Sequence, residues 1–319
     1  MIRQAQILAL GQGPVVTSVP PPVAGPGQVL VRMGASALNF ADLLKAQGSY
    51  QEPQDPPFTP GLEGAGTVIE APADCDLVAG TRVVVSCPGT MAQIIATDPA
   101  NLQPIPDSMS FEQAAGFQVA YGTSHLALTG PGSLRQGQTL VVLGAAGGVG
   151  LTAVEIGAAL GAHVIGVARG AERLQTVREA GAHQVIDSAE CPDLRQALRE
   201  MGGADVIYDP VGDAPGAAAF RALRPGGRHL IIGFAGGKPP ALPLNHALVK
   251  NIAIHGFYWG GYRKHDPDAL RDSMQALFGL FEEGKLTPVM GKVLPLDRIQ
   301  EGYDLLRDRR AVGKVIITL

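Results

Sequence analysis

The period of the hydrophobic positions changes at Gln138, and that change divides the chain. Before it, apolar residues fall in short runs broken by Gly and Pro. Residues 28–39 ("QVLVRMGASALN"), 65–71 ("AGTVIEA"), 81–86 ("TRVVVS") and 93–97 ("QIIAT") are β-rich runs, the pattern of short strands. "PPPVAGPG" (20–27) is a stiff turn, and "QEPQDPPFTPG" (51–61) carries too many prolines for a helix or a central strand, which predicts a loop.

After Gln138 strands and helices alternate. "TLVVL" (139–143) is a buried strand, and Val149, Ala153, Ile156 and Leu160 then share one helical face. "VIGVA" (164–168), "QVID" (184–187), "DVIYDP" (205–210), "HLIIGF" (229–234) and 252–259 ("IAIHGFYW") predict further strands. Leu174 and Val177, then Leu194, Leu198 and Met201, then a stretch through Phe220 and Leu223, mark the helices between them. This alternation predicts an α/β doubly wound parallel sheet. Its sixth strand, 252–258, would be an apolar edge open to a second subunit, so a homodimer paired through that edge is expected.

Two more amphipathic stripes follow, Leu270–Met274–Leu277–Phe281 and Leu296–Ile299–Tyr303–Leu306, and then a terminal strand, "KVIITL" (314–319). That strand is far in sequence from the first β-rich region and has no local partner. The expected organisation is therefore a discontinuous β domain, 1–117 with 260–319, around a nucleotide-binding domain at 118–259.

Composition narrows the picture. With 319 residues, 46% of them hydrophobic, the chain can fill two cores. A formal net charge of −4 without a block of like charges argues against nucleic-acid binding. Cys75, Cys87 and Cys191 are odd in number and widely spaced, which gives neither a disulfide framework nor metal spacing and fits a reducing, cytoplasmic compartment. None of the seven histidines has ligand spacing; His125, His163 and His229 fall on or beside core elements. The first ten residues read as a strand and not as a signal peptide, and no apolar run approaches the roughly 18 residues of a membrane span.

The most informative stretch joins the strand ending at Leu143 to the helix starting near Gly148. Ala145, Ala146, Gly147, Gly148, Val149 and Gly150 form a turn of small residues, with Ala145 in place of the first glycine of the usual fingerprint. Small residues let the backbone approach a pyrophosphate, and the helix start offers free N–H groups. NAD-binding versions of this unit place an acid at the end of the second strand to hold the ribose 2′-hydroxyl. Arg169 stands there instead, with Arg173 nearby. Two guanidiniums suit a 2′-phosphate, so the expected cofactor is NADPH; the plain alternative is two solvated arginines.

"ALNFADLLKAQGSYQEPQDPPFTPGLEGAGTVIEA" (37–71), "GAAGGVG" (144–150), "IIGFAGG" (231–237), "FYWGGY" (257–262) and "GKVIITL" (313–319) together resemble the medium-chain dehydrogenase/reductase superfamily. Within it they resemble the zinc-free NADPH:quinone oxidoreductase (zeta-crystallin-like) branch. The resemblance implies a GroES-like β-barrel catalytic domain, a Rossmann domain and a homodimer. Zinc members have a Cys where Asn39 stands and a His where Leu62 stands, so no metal is expected. The implied reaction is hydride transfer from NADPH to a small quinone or α,β-unsaturated carbonyl. Enoyl-thioester reduction and a non-catalytic NADPH-binding role are the alternatives.

By the same resemblance, Tyr50 in "QGSY" is the candidate proton donor, against a loop tyrosine packed on prolines. Asn39 faces the nicotinamide, against a turn-stabilising amide. Asp42 caps a short helix, and Glu63 is a structural carboxylate. Leu44 replaces a second tyrosine of some quinone reductases and makes the pocket more apolar. Thr123 is expected to contact the cofactor or to cap a helix. Gly233, Phe234 and Ala235 would offer backbone groups to the carboxamide. Lys314 would lie near the pyrophosphate or on the surface. Tyr208 would flank adenine or pack in the core, and Trp259 would form an interdomain or substrate-pocket wall.

Overall fold

A computed structural model describes residues 1–319. The chain divides into two compact units, Met1–Val119 with Pro288–Leu319, and Ala120–Thr287. In the first unit, β1 (Ile2–Gln6), β2 (Val15–Val19), β3 (Val29–Leu38), α1 (Phe40–Gln47), β4 (Glu63–Glu70), β5 (Arg82–Val85), β6 (Ile94–Thr97), β7 (Leu102–Pro104) and α2 (Phe111–Ala115) follow in order. α3 (Gln118–Thr129) carries the chain into the second unit. There β8 (Thr139–Leu143), α4 (Gly148–Ala159), β9 (His163–Ala168), α5 (Ala171–Glu179), β10 (Gln184–Asp187), α6 (Leu194–Glu200), β11 (Ala204–Asp209), α7 (Asp213–Arg221), β12 (Leu223–Ile231), α8 (Leu244–Lys250), β13 (Ala253–Gly256), α9 (Tyr262–His265) and α10 (Pro267–Glu282) alternate. The first unit is completed by β14 (Met290–Pro295), α11 (Ile299–Arg307) and β15 (Lys314–Thr318).

The first unit is organised around β3. Its main sheet runs β14-β15-β3-β4-β5-β7, with β6 also paired to β3. β15 lies antiparallel to β3, Val315 opposite Leu38 and Thr318 opposite Ala35, so the last strand closes onto the strand that leads into α1. Alternating side chains of β3 feed an apolar cluster with Val83, Val85 and Ile95. The end of β3, at Leu38, joins a second cluster with Ile7, Phe58, Met91, Tyr303 and Ile317.

The second unit is a six-stranded sheet in the order β10-β9-β8-β11-β12-β13, every pairing parallel. All five residues of β8 are buried, as a parallel strand covered by helices on both faces requires. The chain runs outward through β8, β9 and β10, then returns beside β8 as β11. That reversal of strand order is where such sheets bind ligands, at the carboxyl ends of the strands.

Three expectations change. Leu223 opens β12 instead of closing a helix: α7 ends at Arg221, and Leu223 mimics helical spacing from Phe220 while being buried in the sheet. The sixth strand is Ala253–Gly256, shorter than 252–258. Residues 260–287 group with the nucleotide-binding unit, not with the β unit. α10 explains the last point: it buries Met274, Leu277 and Phe278, and its Ser273 Oγ lies 2.8 Å from His125 Nδ1 on α3. No helix is long and apolar enough to cross a membrane.

Candidate functional site

In the second unit the turn after β8 is built for a phosphate group. Gly144 has φ +58°, Ala145 N–H donates to Val167 O (2.9 Å), and Gly147 N–H donates to Gly144 O (2.9 Å). Gly147 caps α4 without a side chain, and no acid lies in the first helical turn. The N–H groups at the start of α4 therefore keep their affinity for an anion. A Cβ at Gly150 would sit 2.2 Å from Gly144 O, so glycine is what lets α4 close onto β8. Ala145 and Ala146 are buried; Gly147, Gly148 and Val149 are partly exposed.

Buried hydroxyls brace this turn from within. Ser124 Oγ donates to Val149 O (3.0 Å) and lies 2.8 Å from Thr152 Oγ1 and 2.9 Å from Tyr208 OH. Thr152 Oγ1 also reaches Ala120 O (3.1 Å). Tyr208 is fully buried, and desolvation pushes its phenol well above the usual range, so it is a core group and not an adenine flank. Sequence reasoning passed over Ser124 and Thr152, because a hydroxyl inside an apolar helix carries no period of its own. Thr123 is buried in the second turn of α3, which removes the capping role.

At the end of β9, Arg169 is exposed, and Arg173 lies half-buried in the first turn of α5. The turn between them is ordered by an acid that sequence reasoning missed. Asp187, the last residue of β10, accepts from Ala189 N (2.9 Å) and from Gly170 N (3.1 and 3.2 Å). Those two N–H groups, and then Arg169, hold its carboxyl below the ordinary range. The signal available was its place, one strand over from Arg169.

Gly233, Phe234 and Ala235 follow β12, but two of their donors are occupied. Gly233 N–H reaches Asp209 O (3.3 Å) and Ala235 N–H reaches Pro210 O (3.0 Å). Of the backbone groups expected to face a carboxamide, those two N–H groups are therefore already engaged within the protein. Trp259 lies against α3, its Nε1 2.6 Å from where a Cβ on Gly122 would be, and the Arg263 guanidinium sits 5.7 Å from its ring centroid.

The first unit assembles a buried polar network at the end of β3. Glu63 is wholly buried and Lys314 is 7% exposed. Lys314 Nζ donates to Asn39 Oδ1 (2.6 Å), Glu63 Oε1 (2.8 Å) and Leu38 O (3.2 Å), which occupies all three of its hydrogens. Lys314 is thus neither on the surface nor free for a pyrophosphate: its charge is needed by Glu63. Asn39 Nδ2 donates to Glu63 Oε1 (2.9 Å), and Val119 N–H at the start of α3 donates to Glu63 Oε2 (2.7 Å). Glu63 is the structural carboxylate expected, at a helix end where negative charge is favourable.

Asp42 lies beside this network and supports α1. Its Oδ2 accepts from Asn39 N (2.8 Å) and its Oδ1 from Gly61 N (3.0 Å). Burial pushes its carboxyl up to about 6, opposed by those two N–H groups and by Lys314 and Lys45. Lys45 is buried on the same helix, with its ammonium 5.5 Å from the ring centroid of Tyr50. Tyr50 and Leu44 are half-buried. The first unit so brings together Asn39, Glu63, Lys314 and Asp42, with Lys45 reaching from α1 to Tyr50. No three His, Cys, Asp or Glu side chains converge as a metal site, and with Glu63 neutralised by Lys314 the donor set around Asn39 and Leu62 does not fit zinc.

Comparison with known proteins agrees with this architecture. Residues 25–107 match the Alcohol dehydrogenase GroES-like domain and residues 148–277 match the Zinc-binding dehydrogenase family. The chain is 38% identical over 300 residues to a Quinone oxidoreductase-like protein 2 homolog of Nematostella vectensis, covering 92% of this chain and 82% of that one. It resembles the solved quinone oxidoreductase of Thermus thermophilus, known also in complex with NADPH, with a TM-score of 0.88 and 29% identity over 99% of this chain and 100% of that one. The Escherichia coli quinone oxidoreductase complexed with NADPH gives a TM-score of 0.91 and 25% identity, over 99% and 100% of the two chains.

Proposed function

The chain belongs to the medium-chain dehydrogenase/reductase superfamily, in its quinone oxidoreductase branch, and binds NADPH; from that premise we propose that it reduces quinones or small α,β-unsaturated carbonyl compounds without a metal ion. The observation that carries the reading is the Asn39–Glu63–Lys314 network. Where zinc members of the superfamily have a thiolate ligand, this chain has a neutral amide whose neighbouring carboxylate already has its counter-ion. Such a site is not suited to hold an alkoxide on a metal, whereas a conjugated carbonyl needs only positioning and a hydrogen-bond donor.

When bound, the nicotinamide supplies a hydride. The residues have the remaining tasks. The turn from Gly144 to Gly150 seats the pyrophosphate, and Arg169 and Arg173 grip the 2′-phosphate. Asn39, held rigid from both sides of its amide, orients the nicotinamide end. Tyr50 donates to the oxygen on which enolate or hydroquinone charge develops, and the Lys45 ammonium beside its ring favours that donation. In the first unit Leu44 makes the surface offered to substrate more apolar, and in the second unit Trp259 offers an aromatic wall. The enzyme acts as a cytoplasmic homodimer joined through the edge strand of the nucleotide-binding unit.

The test is NADPH oxidation with a panel of quinones, small enones and crotonyl-CoA, each with and without a zinc chelator. Quinone or enone turnover that ignores the chelator is expected. Activity lost to the chelator and restored by zinc would overturn the reading. Turnover of crotonyl-CoA alone would favour thioester reduction, and no turnover would favour a binding protein. In the same assay Tyr50→Phe should slow enone reduction by roughly tenfold or more.

A further inference from the structure

β11 ends in a wholly buried aspartate, Asp209, and its neighbour β12 carries a wholly buried histidine, His229. Their contact is direct, with His229 Nε2 3.0 Å from Asp209 Oδ2. The other carboxylate oxygen, Oδ1, accepts from Val211 N (2.9 Å) and Gly212 N (2.7 Å). The carboxylate is seated so closely on α7 that a Cβ at Gly216 would lie 2.3 Å from Oδ2.

Above this pair, two loops at the carboxyl ends of β11 and β12 are knitted together. Ala235 N–H donates to Pro210 O (3.0 Å), Gly236 N–H to Val211 O (2.8 Å) and Asp213 N–H to Lys238 O (2.9 Å). Gly212 allows the bend with φ +72°. The same loop adjoins the phosphate turn, where a Cβ at Gly144 would lie 3.0 Å from Val211 Cγ2. In a doubly wound sheet one mononucleotide is held by each half. β8 to β10 lead to Arg169 and the adenosine end, so β11 to β13 serve the nicotinamide end.

We propose that the Asp209–His229 pair positions the nicotinamide half of the cofactor site, by holding the joined 210–213 and 232–238 loops at a fixed height over the sheet. Neither residue touches the cofactor; both act through backbone N–H and C=O groups. The pairing places an imidazole hydrogen on Nε2, facing the carboxylate. Nδ1 is buried without a partner, so a hydrogen there would have no acceptor, whereas one on Nε2 meets Asp209 Oδ2. Phe220, with its ring centroid 5.7 Å from that of His229, closes the apolar side.

The experiment is calorimetric titration of NADPH and, separately, of 2′,5′-ADP, which lacks the nicotinamide half. His229→Leu should weaken NADPH about tenfold while 2′,5′-ADP stays within about twofold. His229→Gln, whose amide N–H can reach the same carboxylate oxygen, should recover most of the loss. If His229→Leu does not fold, Asp209→Asn carries the same comparison with the same expected split. Unchanged NADPH affinity, a parallel loss for both ligands, or a Gln variant no better than Leu would overturn the proposal. So would a nitrogen NMR signature placing the His229 hydrogen on Nδ1.

Discussion

Asp42 owes its shifted titration to the fold that buries it. Its carboxyl is raised from an ordinary value near 3.8 to about 6, first by desolvation. A carboxyl raised on folding binds more protons in the folded state than in the unfolded one. Its favourable contribution is therefore present below about pH 4 and is lost as pH rises through about 6, a swing of up to about 3 kcal/mol. Asp42→Asn removes that titration and adds a loss of one acceptor that does not depend on pH. The thermal midpoint of the parent minus that of the variant should fall between pH 4 and pH 7; a constant difference would show the carboxyl to be ordinary. At the other residue-scale site, Arg173→Glu should raise KM for NADPH by roughly tenfold or more and leave KM for NADH nearly unchanged. Equal effects on both cofactors would remove Arg173 from the 2′-phosphate.

Among the elements, β15 bears on more than its length suggests, since its first residue is the counter-ion of Glu63. Lys314→Met should destabilise the first unit by about 3–5 kcal/mol, because it leaves a wholly buried carboxylate unpaired. The double variant Lys314→Met with Glu63→Gln should recover part of this, which denaturant titration would measure. The same element marks how far the sequence could be read. Its strand character was plain from "KVIIT", and so was its need for a distant partner, whereas the engagement of Lys314 was not. A lysine before a strand looks the same on a surface as inside, and its three acceptors come from residues 38, 39 and 63, far away along the chain. The glycine turn was legible for the opposite reason: its residues are consecutive, and the need for small side chains is written into each. Leu223 misled because a residue two past the helix end still falls on the helical face, and Asp209–His229 stayed hidden because pairing between parallel strands leaves no spacing rule.

For the whole molecule, the sheet of the second unit ends at β13, which is hydrogen-bonded to β12 alone. Next to it in sequence, α8 leaves Leu244, Leu248 and Val249 strongly exposed. An open edge with apolar neighbours is suited to a second copy. Sedimentation at micromolar concentration should give twice the 33.1 kDa of one chain, and Leu248→Glu with Val249→Glu should lower that mass. A monomer in the parent protein would end the dimer proposal. The pairing of β15 with β3 also dictates an order of events during synthesis. Residues 120–287 are contiguous and can fold as soon as they leave the ribosome. The sheet of the first unit must wait, with β3 lacking one neighbour, until residue 318 emerges. The half of the protein made first is thus finished last.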